Sequence, residues 1–213
     1  MNKNYEGIKI LGNCYIEESV VLGKNITIYP NVYIIGESKI DDNVTLYPNT
    51  TIENTKIGEG TIIKSSYLEN SIVGKNCQIG PFTHLRPNCV IGDECHLGNF
   101  VEVKNSSIGN KTKANHLAYI GDADVGSNCN IGCGAIFVNY NGRTKNRTIV
   151  GDECFIGSNC NVIAPVNVAN RTYLCAGTTL TQDTNTEDFI IGRARETIKP
   201  NRANNYLKPT NLS

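Results

Sequence analysis

The sequence is dominated by a repeat of six residues. An aliphatic residue returns at every sixth position and the pattern continues to Leu180; its first members are Ile10, Ile16, Leu22, Ile28, Ile34, Ile40, Leu46 and Ile52. Six residues turn an α-helix through about 600°, so these positions would make no apolar stripe on a helix. A glycine often follows the aliphatic position, as at Gly23 and Gly92, and marks a turn there. Each repeat is therefore predicted to be a short strand followed by a corner.

Three such repeats make a coil of about eighteen residues. Strands that return once per coil would stack in parallel sheets about 4.8 Å apart. Asparagine recurs three positions after the aliphatic residue, as at Asn31, Asn49 and Asn159, where its tolerance of positive φ suits a corner. The predicted fold is all-β, a parallel β-helix of hexapeptide repeats with the form of a three-sided prism.

The repeat also sets the predicted domain boundaries. Some steps are five residues long, and one large break lies between Phe137 and Val150. The break is expected to leave the prism as an extruded loop. The predicted organisation of the 213 residues is a lead-in at 1–9, a β-helix at 10–182 that carries loop 138–149, and a C-terminal tail at 183–213.

Charge and hydropathy argue against some classes of binding partner and some cellular locations. The 20 basic and 20 acidic residues balance, and no basic block is interleaved with aromatic residues, which argues against a nucleic-acid partner. The first ten residues lack the apolar core of a signal peptide, and no apolar run is long enough to span a membrane. A soluble cytoplasmic protein is expected.

Nine cysteines suggest a disulfide or metal site, but their position in the repeat favours another interpretation. Seven of them lie four residues after an aliphatic position, in a slot predicted to face inward and to hold a small buried side chain: Cys14, Cys77, Cys89, Cys95, Cys129, Cys154 and Cys160. Cys77 and Cys95 should stack on neighbouring coils at a distance that suits a disulfide, but a cytosolic thiol is expected to stay reduced. The chain has no CxxC pair, and its three histidines lack the close spacing of a zinc site, so no metal is expected.

Two cations occupy a position where glycine is usual. Arg86 and Lys104 each follow an aliphatic residue and are eighteen residues apart, so they should stack at one corner of adjacent coils. Like charges about 5 Å apart repel by roughly 1 kcal/mol even in water, and a phosphate bound between them would relieve this. The alternative is that both side chains extend into solvent.

A second set of residues is predicted to form a column along one corner. If the residues after Phe137 leave the prism as a loop, His116, Cys133, Ser158 and Ala176 lie on four successive coils. One imidazole followed by three small side chains could cradle an extended thioester arm that ends near His116. A corner histidine can equally be a solvated or hydrogen-bonded structural residue.

Five segments carry a resemblance to a known family. They resemble the left-handed β-helix acetyltransferase domain of bacterial bifunctional UDP-N-acetylglucosamine pyrophosphorylase / glucosamine-1-phosphate N-acetyltransferase; the segments are GPFTHLRPN (80–88), GNFVEVKN (98–105), KANHLAYIGDADVG (113–126), NIGCGAIFVNYNG (130–142) and FIGSNCNVIAPV (155–166). The resemblance implies left-handed coiling and N-acetylation of glucosamine 1-phosphate to N-acetylglucosamine 1-phosphate. It also implies acetyl-CoA as co-substrate and a homotrimer with sites between subunits.

The resemblance assigns roles residue by residue. His116 matches the catalytic base, and an imidazole, which titrates near neutral pH, can take the proton that a hexosamine ammonium must lose before it attacks a thioester. The residues that match substrate-binding positions are Arg86, Lys104, Tyr119, Asn130 and Lys145. Those that match acetyl-CoA-binding positions are Cys133, Asn139, Tyr140, Ser158, Ala176 and Arg193.

Some positions depart from the family pattern. Cys133 stands where alanine is usual, Asn141 replaces an aspartate, and the tail reads IGRARETIKP where a Ser-Arg pair is more typical. The nucleotidyltransferase half of the family, with its glycine-rich loop, has no counterpart, because the prism begins within ten residues of Met1. We therefore expect no uridylyltransferase activity from this chain.

Two alternatives stay open. The chain could be a β-helix acyltransferase for another amino sugar or a nucleotide-sugar amine. It could also be a non-catalytic β-helix scaffold, in which Arg86, Lys104 and His116 have no shared function.

Overall fold

The computed structural model describes residues 7–207 and shows a left-handed parallel β-helix, the predicted fold. Nearly every element is a strand of two or three residues, and one 3₁₀ turn, Ala203–Asn205, lies in the tail. Residues 7–207 hold no helix that could span a membrane. The predictions made for residues 1–6 and 208–213 lie outside the described residues.

The strands fall on three faces that the chain visits in turn. The first face holds Lys9–Ile10, Thr27–Ile28, Thr45–Leu46, Ile62–Ile63, Gln78–Ile79, Asn130–Ile131, Phe155–Ile156, Tyr173–Leu174 and Phe189–Ile190. The second holds Tyr15–Ile16, Tyr33–Ile35, Thr51–Glu53, Tyr67–Glu69, His84–Leu85, Ile136–Val138, Asn161–Ile163 and Thr179–Leu180. The third holds Val21–Leu22, Lys39–Ile40, Lys56–Ile57, Ile72–Val73, Val90–Ile91, Ser107–Ile108, Ala123–Val125, Thr148–Val150 and Val166–Val168.

Two longer strands join the first face to the second. His96–Lys104 and Lys113–Gly121 each run nine residues through the corner between these faces. They pair with each other along most of that length, for example Asn99 with His116 and Glu102 with Tyr119. The first two faces therefore form a single 19-stranded sheet, while the third face is a separate sheet of nine strands.

The aliphatic position of each repeat faces inward and stacks coil on coil. On the second face Ile34 pairs with Ile52, Ile52 with Leu68 and Leu68 with Leu85, and all four side chains are fully buried. Burial of each such side chain contributes about 1.5–3 kcal/mol, so the repeat that predicts the fold also supplies its core.

The inward cysteines make a second kind of contact between coils. Cys14 is half-buried, the other six predicted cysteines are buried, and all are free thiols. The thiol of Cys95 donates a hydrogen bond to the Gly109 carbonyl oxygen of the next coil at 3.1 Å, and the hydroxyl of Thr112 does the same to Gly126 at 2.7 Å. At these positions the slot holds a small side chain that donates one hydrogen bond to the next coil.

The loop and the tail differ in how they relate to the prism. Val125 pairs directly with Val150, so the intervening insertion leaves the helix between the strands Ile136–Val138 and Thr148–Val150. At the other end the strand Phe189–Ile190 pairs with Tyr173–Leu174, so sheet pairing continues past the predicted boundary at residue 182.

Candidate active site

Arg86 and Lys104 lie side by side at the corner between the second and third faces. Leu85 pairs with Val103, and the backbone N–H of Arg86 donates to the Val103 carbonyl oxygen at 2.8 Å. This register sets the two cations on adjacent coils, at the same corner.

Each cation has its own carboxylate partner, which the sequence reasoning missed. The Arg86 guanidinium donates to Glu102 at 3.0 Å, and this hydrogen bond raises the pKa of Arg86. The Lys104 ammonium lies 3.3 Å from Asp122. Glu102 lies two residues before Lys104 on the same strand, and Asp122 lies eighteen residues after it. Both carboxylates follow from the spacing rules that predict the stacked cations: Glu102 from strand alternation and Asp122 from the length of one coil.

A third cation reaches this corner from the loop. Lys145 lies close enough to Lys104 that the neighbouring ammonium lowers the pKa of Lys145. Arg147 at the base of the loop is held by the Asp124 carboxylate and by the Asn105 carbonyl oxygen. These side chains line a cavity of about 580 Å³ together with Arg86, Pro87, Asn88, Asn105, Asp122 and Asn146. Four cations and one carboxylate line the cavity. With Glu102 and Asp124 counted as the partners of Arg86 and Arg147, one positive charge remains, which favours an anionic ligand.

Tyr119 and Asn139 extend the site along the second face. Tyr119 pairs with Glu102, and its ring lies over Gly121, where an added Cβ would come within 2.5 Å of the tyrosine hydroxyl. The Asn139 amide donates to the Asp122 carboxylate and lies 3.5 Å from the Tyr119 hydroxyl. Asn139 is buried, and the contacts of its side chain are with this cluster.

His116 lies at the other end of the second face, at its corner with the first. The imidazole is exposed, and it lines a small cavity of about 250 Å³ with Gly98, Asn99 and Asn115. Within residues 7–207 its ring makes no side-chain hydrogen bond, so the hydrogen-bonded alternative has no support there, while the exposed ring agrees with both a solvated residue and a catalytic base.

Three small side chains continue from His116 along the same corner. Ile131 pairs with Ile156 and Ile156 with Leu174, which sets Cys133, Ser158 and Ala176 on successive coils, all exposed. The predicted column is therefore present in the register. Arg193 from the tail donates to the Ala176 carbonyl oxygen at 2.8 Å and lies against the far end of the column.

The remaining predicted residues lie apart from these two groups. Asn130 is on the first face and lines a separate cavity of about 640 Å³ with His96, Lys111 and Lys113. Tyr140 is exposed in the loop, where its hydroxyl donates to the Gly142 carbonyl oxygen at 2.8 Å. Among residues 7–207 no group of three or more histidine, cysteine, aspartate or glutamate side chains is arranged to hold a metal ion.

Two family profiles match the repeats. A profile described as the GMPPB C-terminal domain matches residues 10–96, and one described as the hexapeptide repeat of succinyl-transferase matches residues 147–182. Together with the register of the sheets, they define a hexapeptide-repeat protein of the left-handed β-helix class.

Within this class the chain is a homologue of the bifunctional GlmU proteins, so the resemblance inferred from its motifs is confirmed. It is 46% identical over 203 residues to the Caldicellulosiruptor saccharolyticus protein, covering 93% of this chain and 44% of the relative. It is 49% identical over 184 residues to the Clostridium perfringens protein, covering 86% of this chain and 40% of the relative. The chain thus spans less than half the length of these relatives. Among solved structures, an Arabidopsis UDP-N-acetylglucosamine acyltransferase aligns with 81% of this chain and 67% of its own at 17% identity, with a TM-score of 0.43.

Proposed function

We propose that this chain transfers the acetyl group of acetyl-CoA to the amine of glucosamine 1-phosphate. The observation that carries the proposal is the arrangement of the second face, with a cation-lined cavity at one end and His116 at the head of a column of small side chains at the other. Similarity to the GlmU proteins over most of the chain supports the same assignment.

The cavity suits the phosphate of the sugar. Arg86 and Lys104 are paired with Glu102 and Asp122, and Lys145 adds one further positive charge at the cavity. A phosphate dianion that enters this cluster relieves the repulsion between Lys104 and Lys145 and accepts charge-assisted hydrogen bonds. Tyr119 and Asn130 complete the predicted substrate-binding set.

The column suits the pantetheine arm of acetyl-CoA. Cys133, Ser158 and Ala176 leave room for a chain laid along the corner, and Arg193 brings positive charge to a CoA phosphate. Asn139 and Tyr140 of the loop belong to the same predicted set, although the amide of Asn139 contacts Asp122 in the free chain.

The chemistry needs a base at His116. The imidazole takes a proton from the sugar ammonium, and the freed amine nitrogen attacks the thioester carbon. Backbone N–H groups stabilise the tetrahedral oxyanion. The attacking nitrogen gives up its second proton to solvent, the C–S bond breaks, and the departing CoA sulfur takes the proton that His116 holds, so that N-acetylglucosamine 1-phosphate and CoA are released. No metal takes part in this sequence.

A second copy of the chain completes the site in this proposal. Phe82, Phe100 and Leu117 occupy a corner slot that elsewhere holds asparagine, with φ of 60°, 59° and 35°. Their side chains are 57%, 60% and 57% exposed, and the two phenylalanine rings stack at 5.5 Å. Large apolar residues in this backbone region cost of order 1 kcal/mol each. A trimer that buries these three side chains, which adjoin His116, would offset that cost.

A panel of acceptor amines tests the proposal against its alternatives. We expect release of CoA thiol in the presence of glucosamine 1-phosphate and at least about tenfold less with unphosphorylated glucosamine, because the phosphate contacts are lost. A preference for a nucleotide-sugar amine would instead support the alternative that the chain is a β-helix acyltransferase for that class of substrate. A scaffold protein would show no turnover, and neither acetyl-CoA nor sugar phosphate would raise its Tm. The cytoplasm is the proposed location.

A further inference from the structure

Asp122 occupies a backbone position that joins three segments of the cation cavity. Its φ is 49°, in the left-handed region, and the residue is 6% exposed. Its backbone N–H donates to the Lys104 carbonyl oxygen at 2.9 Å, and its own carbonyl oxygen accepts from the Thr148 N–H at 3.1 Å. The residue is thus fixed between the coil below it and the strand that follows the loop.

The carboxylate accepts hydrogen bonds from two segments, the coil below it and the start of the loop. It accepts from the Asn105 amide at 2.6 Å and from the Lys104 ammonium at 3.3 and 3.4 Å on one side, and from the Asn139 amide on the other. Burial raises the pKa of Asp122, but the hydrogen bonds from Asn105 and Asn139 and the charge of Lys104 outweigh it and leave the pKa below its usual range. Asp122 is therefore an ionised group with every strong contact inside the site.

We propose that Asp122 is a positioning residue that aims Lys104 into the cavity and fixes Asn139 at the start of the loop. Because the Asp122 carboxylate contacts both Lys104 and Asn139, anion binding and the position of the loop depend on the same group. The inference rests on the proposed function for the identity of the anion, while the contacts that carry it belong to this chain alone.

The physical reason lies in the crowding of cations. Arg86, Lys104 and Lys145 repel one another, and without a fixed anion the flexible Lys104 side chain would turn toward solvent. Asp122 holds Lys104 at the cavity wall before the ligand arrives. An amide at this position keeps the shape but removes the charge, and it turns a donor toward Asn105, Asn139 or Lys104.

A double-mutant cycle tests whether Asp122 acts through Lys104. The variants are Asp122→Asn, Lys104→Met and both together, with Asp152→Asn as the control, since Asp152 accepts a backbone N–H from Ser127 at 2.7 Å at another corner. We expect D122N to raise the KM for glucosamine 1-phosphate at least about tenfold, the equivalent of about 1.4 kcal/mol. Adding D122N to K104M should raise it little further. The control should leave KM unchanged.

The rise in Tm caused by inorganic phosphate supplies a readout that needs no turnover. We expect it to be clear in the wild type and small in D122N, K104M and the double variant. A D122N protein with a lower Tm but wild-type KM and a wild-type response to phosphate would reduce Asp122 to a structural role and overturn the inference. Multiplicative effects of the two substitutions would overturn it as well. If phosphate raises the Tm of the wild type but the protein never acetylates the sugar, the proposed function is wrong. The role of Asp122 is then tested by the phosphate-induced rise in Tm alone.

Discussion

Lys104 and Asp122 are eighteen residues apart in the chain, and their charged groups lie 3.3 Å apart. Both side chains are mostly buried, with 18% and 9% of their surface exposed, whereas Arg86 and Glu102 in the neighbouring pair are each 40% exposed. The two ion pairs lie at the same corner of adjacent coils but in different dielectric surroundings. Their energetic roles should therefore differ.

Substitution of each cation by methionine should separate binding from stability. Lys104→Met leaves a buried carboxylate without its cation and should lower the free energy of unfolding by about 2 kcal/mol. Arg86→Met breaks an exposed pair and should cost less than about 1 kcal/mol. Both should raise the KM for the sugar phosphate. Denaturant melts with parallel kinetics check this; equal stability losses in the two variants would show that the burial difference has no energetic consequence.

The stability contributed by Asp122 should depend on pH in the acid range. Because its folded pKa is depressed, its contribution is fully present above the unfolded pKa of about 3.9 and is lost as pH falls through the lower folded value. The Tm difference between wild type and Asp122→Asn should be constant from neutral pH to about pH 5 and then shrink. A Tm difference that stays the same down to pH 2.5 would contradict a contribution from ionised Asp122 to the stability of the folded chain.

Gly121 should be needed to keep Tyr119 in place. A Cβ at this position would meet the tyrosine hydroxyl oxygen at 2.5 Å and the ring carbon that carries it at 2.6 Å, so Gly121→Ala should swing the flexible ring away from Asn139. We expect a fall in kcat/KM for the sugar phosphate of roughly tenfold, with a stability loss below about 1 kcal/mol. Tyr119→Phe, which keeps the ring and loses the hydroxyl, is the matched control. Wild-type kinetics in G121A would exclude a positioned Tyr119 from the site.

Cys133 should be the fast-reacting thiol of the folded chain. It is exposed, Cys14 is half-buried and the other cysteines are buried, so an aromatic disulfide reagent should modify Cys133 well before the rest. Acetyl-CoA should protect it if the corner column holds the thioester arm. The Cys133→Ala variant, which carries the residue usual in the family, should lose the fast phase. Rapid modification that acetyl-CoA does not slow would move the thioester away from this column.

Most of the fold could be predicted from the sequence because one periodicity sets it. The length of one coil makes Ile34, Ile52 and Leu68 stack. The same length places Arg86 beside Lys104, and His116 in line with Cys133. Phe189 and Ile190 pair with Tyr173 and Leu174 after the regular spacing has stopped, so sheet pairing extends beyond residue 182.

The polar partners within the site were harder to predict. The sequence suggested that an anion relieves the repulsion between Arg86 and Lys104, but Glu102 and Asp122 already neutralise them in the free chain. Whether a side chain turns toward a neighbour on its own strand or on the next coil depends on rotamers and on the loop, which a repeat does not specify. Asn139 shows this most clearly, since its contact with Asp122 depends on where the loop leaves the prism.

The most direct test of the account compares wild type and His116→Ala for CoA thiol release from acetyl-CoA with glucosamine 1-phosphate. Because the His116 side chain is exposed, the substitution should leave the Tm unchanged. We expect turnover in the wild type and a loss of about 10²–10⁴-fold in kcat in the variant, the usual contribution of a general base. Absence of turnover in the wild type, or equal turnover in the two proteins, would contradict the account.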